Sequence, residues 1–257
     1  MKRIKIMGLA LVAVFAMTAI AAGSASAEPQ GEFGRCLAKA GGKYATAGCT
    51  TEVAGKTKFE WTPGVAKPNF TSKLKEGIPT LETVGGTKIT CKTESSGGKF
   101  AANNKEVQGV EAKFGGCETG GAKCNSTGQG EGVILTSPLE GRLGVEKKGT
   151  KAPANNKLAL ELHAPGTSLV ASFTCAGLPV EVKGSVLHPA TTGKMLLTAT
   201  EKFASAKGEQ KPDKFVGGPL DEHTLESNTA KGPFEEAGQT ITATATYEEK
   251  VEANPIF

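Results

Sequence analysis

From Leu169 to Leu187 side-chain character alternates with period two, breaks at Ala176-Gly177, and alternates again. Leu169, Ala171, Phe173 and Cys175 fall on one face, with Ser168, Ser172 and Thr174 on the other; Val170 alone departs from the pattern. After the break Val180, Val182 and Val186 oppose Glu181, Lys183 and Ser185. A period of two places alternate residues on opposite sides of an extended chain, so each half reads as a strand with one dry face. Glycine supplies the positive φ that a two-residue hairpin turn demands. The stretch therefore predicts a β-hairpin that carries Cys175 into a core.

The same period recurs along the chain. Strands are expected over residues 80–84, 87–93, 107–114, 132–135, 139–146, 157–164 and 194–203. In residues 157–164 Leu158, Leu160 and Leu162 are expected inside, with Glu161 and His163 outside. Residues 204–239 are polar but too long for a bare loop, so short edge strands are expected there, such as 223–227. The last strand sets Ile241, Ala243, Ala245, Tyr247 and Val251 against Thr240, Thr242, Thr244, Thr246, Glu248 and Lys250. No amphipathic helical stripe follows the amino-terminal segment. Short strands separated by Gly/Pro turns point to an all-β fold, an antiparallel β-sandwich of jelly-roll or immunoglobulin-like architecture held by disulfides.

The first residues bear on compartment. Lys2, Arg3 and Lys5 precede an apolar run from Ile6 to Ala22, and Ala25-Ser26-Ala27 closes it. This is the pattern of a secretory signal peptide cleaved after Ala27. Three domain-level segments follow: the signal (1–27), a disulfide-stapled amino-terminal segment (28–62) rich in Gly, Ala, Lys and Thr, and a β-sandwich domain (63–257). No membrane span is expected in the mature chain. Removing the signal takes away three cations and no anions, so the net charge of +4 falls to +1. With Arg35 and Arg142 its only arginines, a nearly neutral chain offers no electrostatic case for nucleic acid.

All six cysteines lie beyond residue 27. In an oxidising compartment they are expected to form three disulfides. Cys36–Cys49 and Cys117–Cys124 can each close a local loop, which leaves Cys91–Cys175 as the pair that crosses the core. Residues 115–132, the most glycine-dense stretch, then read as a surface loop clipped by Cys117–Cys124.

Few residues suggest chemistry. The three histidines, His163, His188 and His223, have no mutual ligand spacing and read as solvated. Asp213 and Asp221 are the only aspartates, too few for a calcium loop, and no CxxC spacing supports zinc. No metal or other cofactor is expected. Ser72-Lys73-Leu74-Lys75 matches S-x-x-K, but the companion K-T-G is missing. Gly128-Gln129-Gly130-Glu131-Gly132 lacks the following helix that would make it a phosphate cradle. A glycosidase needs two converging carboxylates, for which Glu111, Glu140 and Glu161 are candidates, each on a polar strand face beside Lys or Arg. No catalytic residue is assigned. The only tryptophan, Trp61, is the candidate ligand-binding ring, against a competing role in packing.

The signal segment, the Phe33-Gly34-Arg35-Cys36 start, and the Phe173-Thr174-Cys175 and Val182-Lys183-Gly184-Ser185-Val186 segments are similar to secreted, cysteine-containing β-rich proteins of soil-dwelling high-GC Gram-positive bacteria. The resemblance covers most of the mature chain and implies a source and an export route rather than a mechanism. The expectation is a secreted, non-catalytic protein with a binding or structural role at the cell exterior, whose partner is a cell-envelope or extracellular polymer. An extracellular polysaccharide hydrolase using a glutamate pair is the alternative. A self-assembling surface or adhesive protein is another, resting on an exposed edge at the Thr-rich last strand.

Overall fold

A computed structural model describes residues 31–55, 57–150, 155–166, 169–214 and 224–255. The expected signal segment, Ser168 and His223 lie outside the described residues. Every named element is a strand. In chain order they are β1 (Glu32–Ala38), β2 (Phe59–Pro63), β3 (Asn69–Thr83), β4 (Lys88–Thr90), β5 (Thr93–Phe100) and β6 (Glu106–Gly115). Next come β7 (Glu118–Thr119), β8 (Ala122–Asn125), β9 (Val133–Leu135), β10 (Leu139–Lys147), β11 (Lys157–His163) and β12 (Ala171–Cys175). The last are β13 (Leu178–Ala190), β14 (Leu196–Ala206), β15 (Glu209–Lys211), β16 (Leu225–Thr229) and β17 (Glu235–Asn254).

The fold is all-β and antiparallel. Its ladders close on themselves: β3 pairs with β5, β5 with β6, β6 with β10, β10 with β11, β11 with β13, β13 with β16, β16 with β17, and β17 with β3. The result is a barrel-like wall with an inward face. A shorter route through β4, β7, β8 and β12 also links β3 to β13. β14 attaches to β17 alone along residues 196–203, and no ladder joins it to β13 among the described residues. A seam therefore runs between β13 and β14.

The hairpin that the alternation predicts is present as β12 and β13. Cys175 faces Leu178 across Ala176 and Gly177, whose φ angles are 51° and 78°, the double positive φ of a type I′ turn. Ala171, Phe173, Cys175, Val180, Val182 and Val186 are all buried in one cluster with Ile89, Ile134, Phe203 and Ile241. A second cluster at the other end gathers Phe33, Phe70, Phe100, Val107, Leu143, Leu158 and Val251. The amino-terminal segment is hydrogen-bonded to the rest: β1 pairs with β2 on one side and with the end of β17 on the other. Beneath it lies a third cluster of Cys36, Tyr44, Cys49 and Trp61.

Cys36–Cys49 forms as expected. The other two pairings do not: the bonds are Cys91–Cys117 and Cys124–Cys175, in place of Cys91–Cys175 and Cys117–Cys124. The strand register explains the correction. Thr90 faces Glu118, Glu118 faces Lys123, and Cys124 faces Cys175, which sets Cys91, Cys117, Cys124 and Cys175 side by side across four adjacent segments. The outer two are three strand spacings apart, roughly 14 Å at about 4.8 Å each. A disulfide tolerates a Cα separation of about 7 Å at most. Joining the middle two would strand the outer two, whereas pairing each with its outer neighbour satisfies all four at Cα separations of 4.0 and 4.2 Å. The glycine-dense stretch is thus tied to the core strands rather than clipped upon itself.

Candidate functional site

Trp61 is not an exposed platform. It is 8% exposed, on a strand whose partner register sets it opposite Cys36, and its ring lies over Gly34, where an added Cβ would meet it at 2.6 Å. Gly34 in turn faces Glu252 across the β1–β17 ladder. Glu252 is 1% exposed, and neither of its carboxyl oxygens has a hydrogen-bond partner among the described residues; nor does Trp61 Nε1. Burial without a partner disfavours the charged form, and the Glu252 pKa is pushed up to about 8.

The glutamates read from sequence go different ways. Glu111 is exposed opposite Gly97, and Glu140 is exposed opposite His163. Glu161, expected on a solvated face, is buried. The guanidinium of Arg142 lies across the ladder from it and forms an ion pair, which is what makes a buried carboxylate tolerable at that position. His163 lies beside the same carboxylate at 3.8 Å. Ser72 of the S-x-x-K match points inward and donates to Glu201 Oε2 at 2.6 Å, whereas Lys73 is exposed on the opposite face, so the motif is split by the strand's pleat. The Thr-rich β17 is paired along both sides and is the least edge-like strand of the fold.

A polar group missed by the sequence reading sits inside the wall. His188, expected to be solvated, is buried with its ring 5.0 Å from that of Phe203. Glu201 of β14 shares the inward phase of Ala199 and Phe203, and Glu94 of β5 shares that of Phe100; alternation around Phe203 and Phe100 was the signal available. Glu201 is the hub. Two interior cavities, of ≈ 50 and ≈ 60 Å³, both have Glu201, Phe70 and Leu160 in their walls. The first is also walled by His188 and Tyr247, the second by Glu94 and Ser96. A third, of ≈ 70 Å³, continues past Phe114 and Gln239.

Burial raises the Glu94 carboxyl, and the Glu201 charge raises it further, offset in part by Ser96. Burial lowers the His188 imidazole against the opposing pull of Glu201, so the ring is held neutral. Its Nδ1 lies 3.3 Å from Pro189 O, which fixes the proton there and leaves Nε2 as an acceptor without a partner among the described residues. Tyr247 is pushed well above the ordinary phenol range, chiefly by burial. Glu201 itself forms no ion pair among the described residues.

On the outside, β14, β17, β3, β5 and β6 present a continuous polar face. One row runs Thr198, Thr246, Thr71, Gly97 and Glu111; the next runs Thr200, Thr244, Lys73, Ser95 and Lys113. Lys75 donates to Thr200 Oγ1 at 3.3 Å, and Lys99 and Lys202 are exposed nearby. Among the described residues no three His, Cys, Asp or Glu side chains are grouped to hold a metal ion, and no helix is long and apolar enough to cross a membrane. No family model, curated protein or solved structure matches the chain.

Proposed function

We propose that the mature chain is exported and acts without catalysis as a binding protein at the cell exterior, holding an anionic envelope or extracellular polymer against the outer face of β14, β17, β3, β5 and β6. The observation that carries this reading is the register that aligns Thr200, Thr244, Lys73, Ser95 and Lys113 in one row across five strands. Hydroxyls and ammonium groups at strand spacing offer repeated hydrogen bonds and charge to a repeating polymer, and lysine binds phosphate or carboxylate as a point charge. Six exposed lysines on these strands, Lys73, Lys75, Lys99, Lys113, Lys202 and Lys250, outnumber their four exposed glutamates, Glu76, Glu106, Glu111 and Glu248. Export is supported by the amino-terminal sequence pattern and by three disulfides, which suit an oxidising compartment.

Co-sedimentation of the oxidised mature protein with cell envelopes and a panel of insoluble polysaccharides tests the reading. Pelleting with anionic polymers in low salt, reduced in moderate salt and abolished in a Lys73→Glu/Lys113→Glu variant that remains folded, is the expected result. Equal pelleting of the wild type and the variant, or retention in the supernatant with every polymer, refutes it.

One observation favours a glutamate-pair hydrolase: Glu94 of β5 and Glu201 of β14 line one cavity, and the Glu201 charge raises the Glu94 carboxyl. Against this, the cavities beside them are ≈ 50 and ≈ 60 Å³, too small for a sugar ring, since pockets for ligands of that size and above run to roughly 300 Å³ and more. The binding reading is the stronger.

A further inference from the structure

We infer that the cavity under the β13–β14 seam is a binding site for the end of a small primary alkylammonium. The inference is independent of the outer face. Four aromatic rings gather at this cavity: Phe33 and Phe100 are 4.8 Å apart between centroids, Phe70 and Phe100 5.4 Å, and Phe100 and Tyr247 5.7 Å. Aromatic faces carry negative potential and attract cations. The Glu201 carboxylate lies in the same wall with only the Ser72 hydroxyl donating to it, and no cation among the described residues compensates its charge. His188, 7% exposed, stands in the same wall, and its Nε2 is an acceptor without a partner among the described residues.

Two acceptors and four aromatic rings in one wall make up the complement of an N–H-bearing cation. A quaternary ammonium would satisfy the rings and leave His188 Nε2 unpaired, and an alkali ion would lose its hydration to a mostly apolar wall. Size agrees with a short chain. A volume of ≈ 50 Å³ takes about three to five groups of water size, at roughly 10–15 Å³ each, which accommodates the three heavy atoms of ethylammonium. Access agrees as well. Thr191 and Thr200, both in the cavity wall, are exposed, and the strands beside them share no ladder.

The test is thermal unfolding of the oxidised mature protein with ethylammonium chloride, tetramethylammonium chloride and sodium chloride at matched ionic strength. At roughly ten times its Kd, ethylammonium is expected to raise Tm by about 3 to 5 °C beyond sodium chloride, with tetramethylammonium giving less. Glu201→Gln is expected to abolish the difference. Because that change touches the interior, Ala199→Leu supplies a second arm: it fills the cavity from β14, leaves Glu201 in place, and is expected to abolish the difference too. Equal shifts with ethylammonium and sodium, or an ethylammonium shift that survives both substitutions, overturns the inference.

Discussion

Glu252 gives the sharpest quantitative test of the fold. Folding buries this carboxyl to 1% exposure with no hydrogen-bond partner among the described residues and raises its pKa from an ordinary 4.5 to about 8. Between these values the native protein keeps a proton that the unfolded chain has released, so stability falls as pH rises through the window. It is flat below the lower value and above the upper one. Each pH unit costs about 1.4 kcal/mol, so the full span corresponds to about 5 kcal/mol lost between pH 4.5 and about 8. Glu252→Gln keeps the shape and removes the titration. Its stability relative to wild type is expected to be near parity at about pH 5 and to gain up to about 5 kcal/mol by about pH 9. Guanidinium unfolding followed by Trp61 fluorescence measures both proteins. The probe is well placed: the chain has one tryptophan, its ring lies over Gly34, and Gly34 faces Glu252. Other titrating groups cancel in the difference. Parallel stability curves for the two proteins across that pH range refute the claim that Glu252 is buried unpaired.

Other expectations follow from the same geometry. Tryptic mapping without reduction cuts after Lys123 and so separates Cys117 from Cys124; peptides joining Cys91 to Cys117 and Cys124 to Cys175 are expected, and a Cys91–Cys175 peptide contradicts the register. Replacing Cys124 and Cys175 together by Ala opens a loop of separation 51 and is expected to cost about 4 kcal/mol by chain entropy, read from denaturant midpoints. Arg142→Met leaves the buried Glu161 carboxylate without its guanidinium and is expected to cost roughly 2 to 4 kcal/mol, most of it recovered when Glu161→Gln is added. Gly184→Ala, at φ 96° with an added Cβ 2.2 Å from Thr224 O, is expected to loosen the β13–β16 edge, seen as faster amide exchange at Ser185, whose N–H donates to Thr224 O.

What was legible in the sequence is what a single strand determines. The β12–β13 hairpin, the inward direction of Cys175 and the phase of β17 follow from alternation, and all three are present. The cysteine pairing depends on which strands become neighbours. Cys91 and Cys175 read correctly as buried, but Cys117 and Cys124, expected to clip a surface loop, are buried as well, and only the ladder shows that Cys91 and Cys175 are the outer members of a row. Alternation puts Glu161 outside because it assigns a face without saying whether that face is covered; Arg142 on the next strand supplies its ion-pair partner. His188 reads as solvated, but β13 runs on to Ala190 and keeps it inside. Trp61 failed as a platform for a related reason: its strand acquires a covering lobe through Cys36–Cys49.

β17 has a consequence for how the protein is made. The strand contacts β1, β3, β14 and β16, elements spread from residue 32 to residue 229, and it occupies residues 235–254. Until that segment has emerged, β3 lacks its neighbour, β14 has nothing to dock on, and the circuit through β16 stays open. On the export proposed above, a chain threaded amino-terminus first through a narrow channel would reach the far side before its wall can close. Its sulfurs meet oxidant while the strands that align them are still assembling, and Cys117 and Cys124, only seven residues apart, meet each other first. On that route, reaching the two bonds that the completed wall accommodates would require thiol–disulfide exchange to release that local bond.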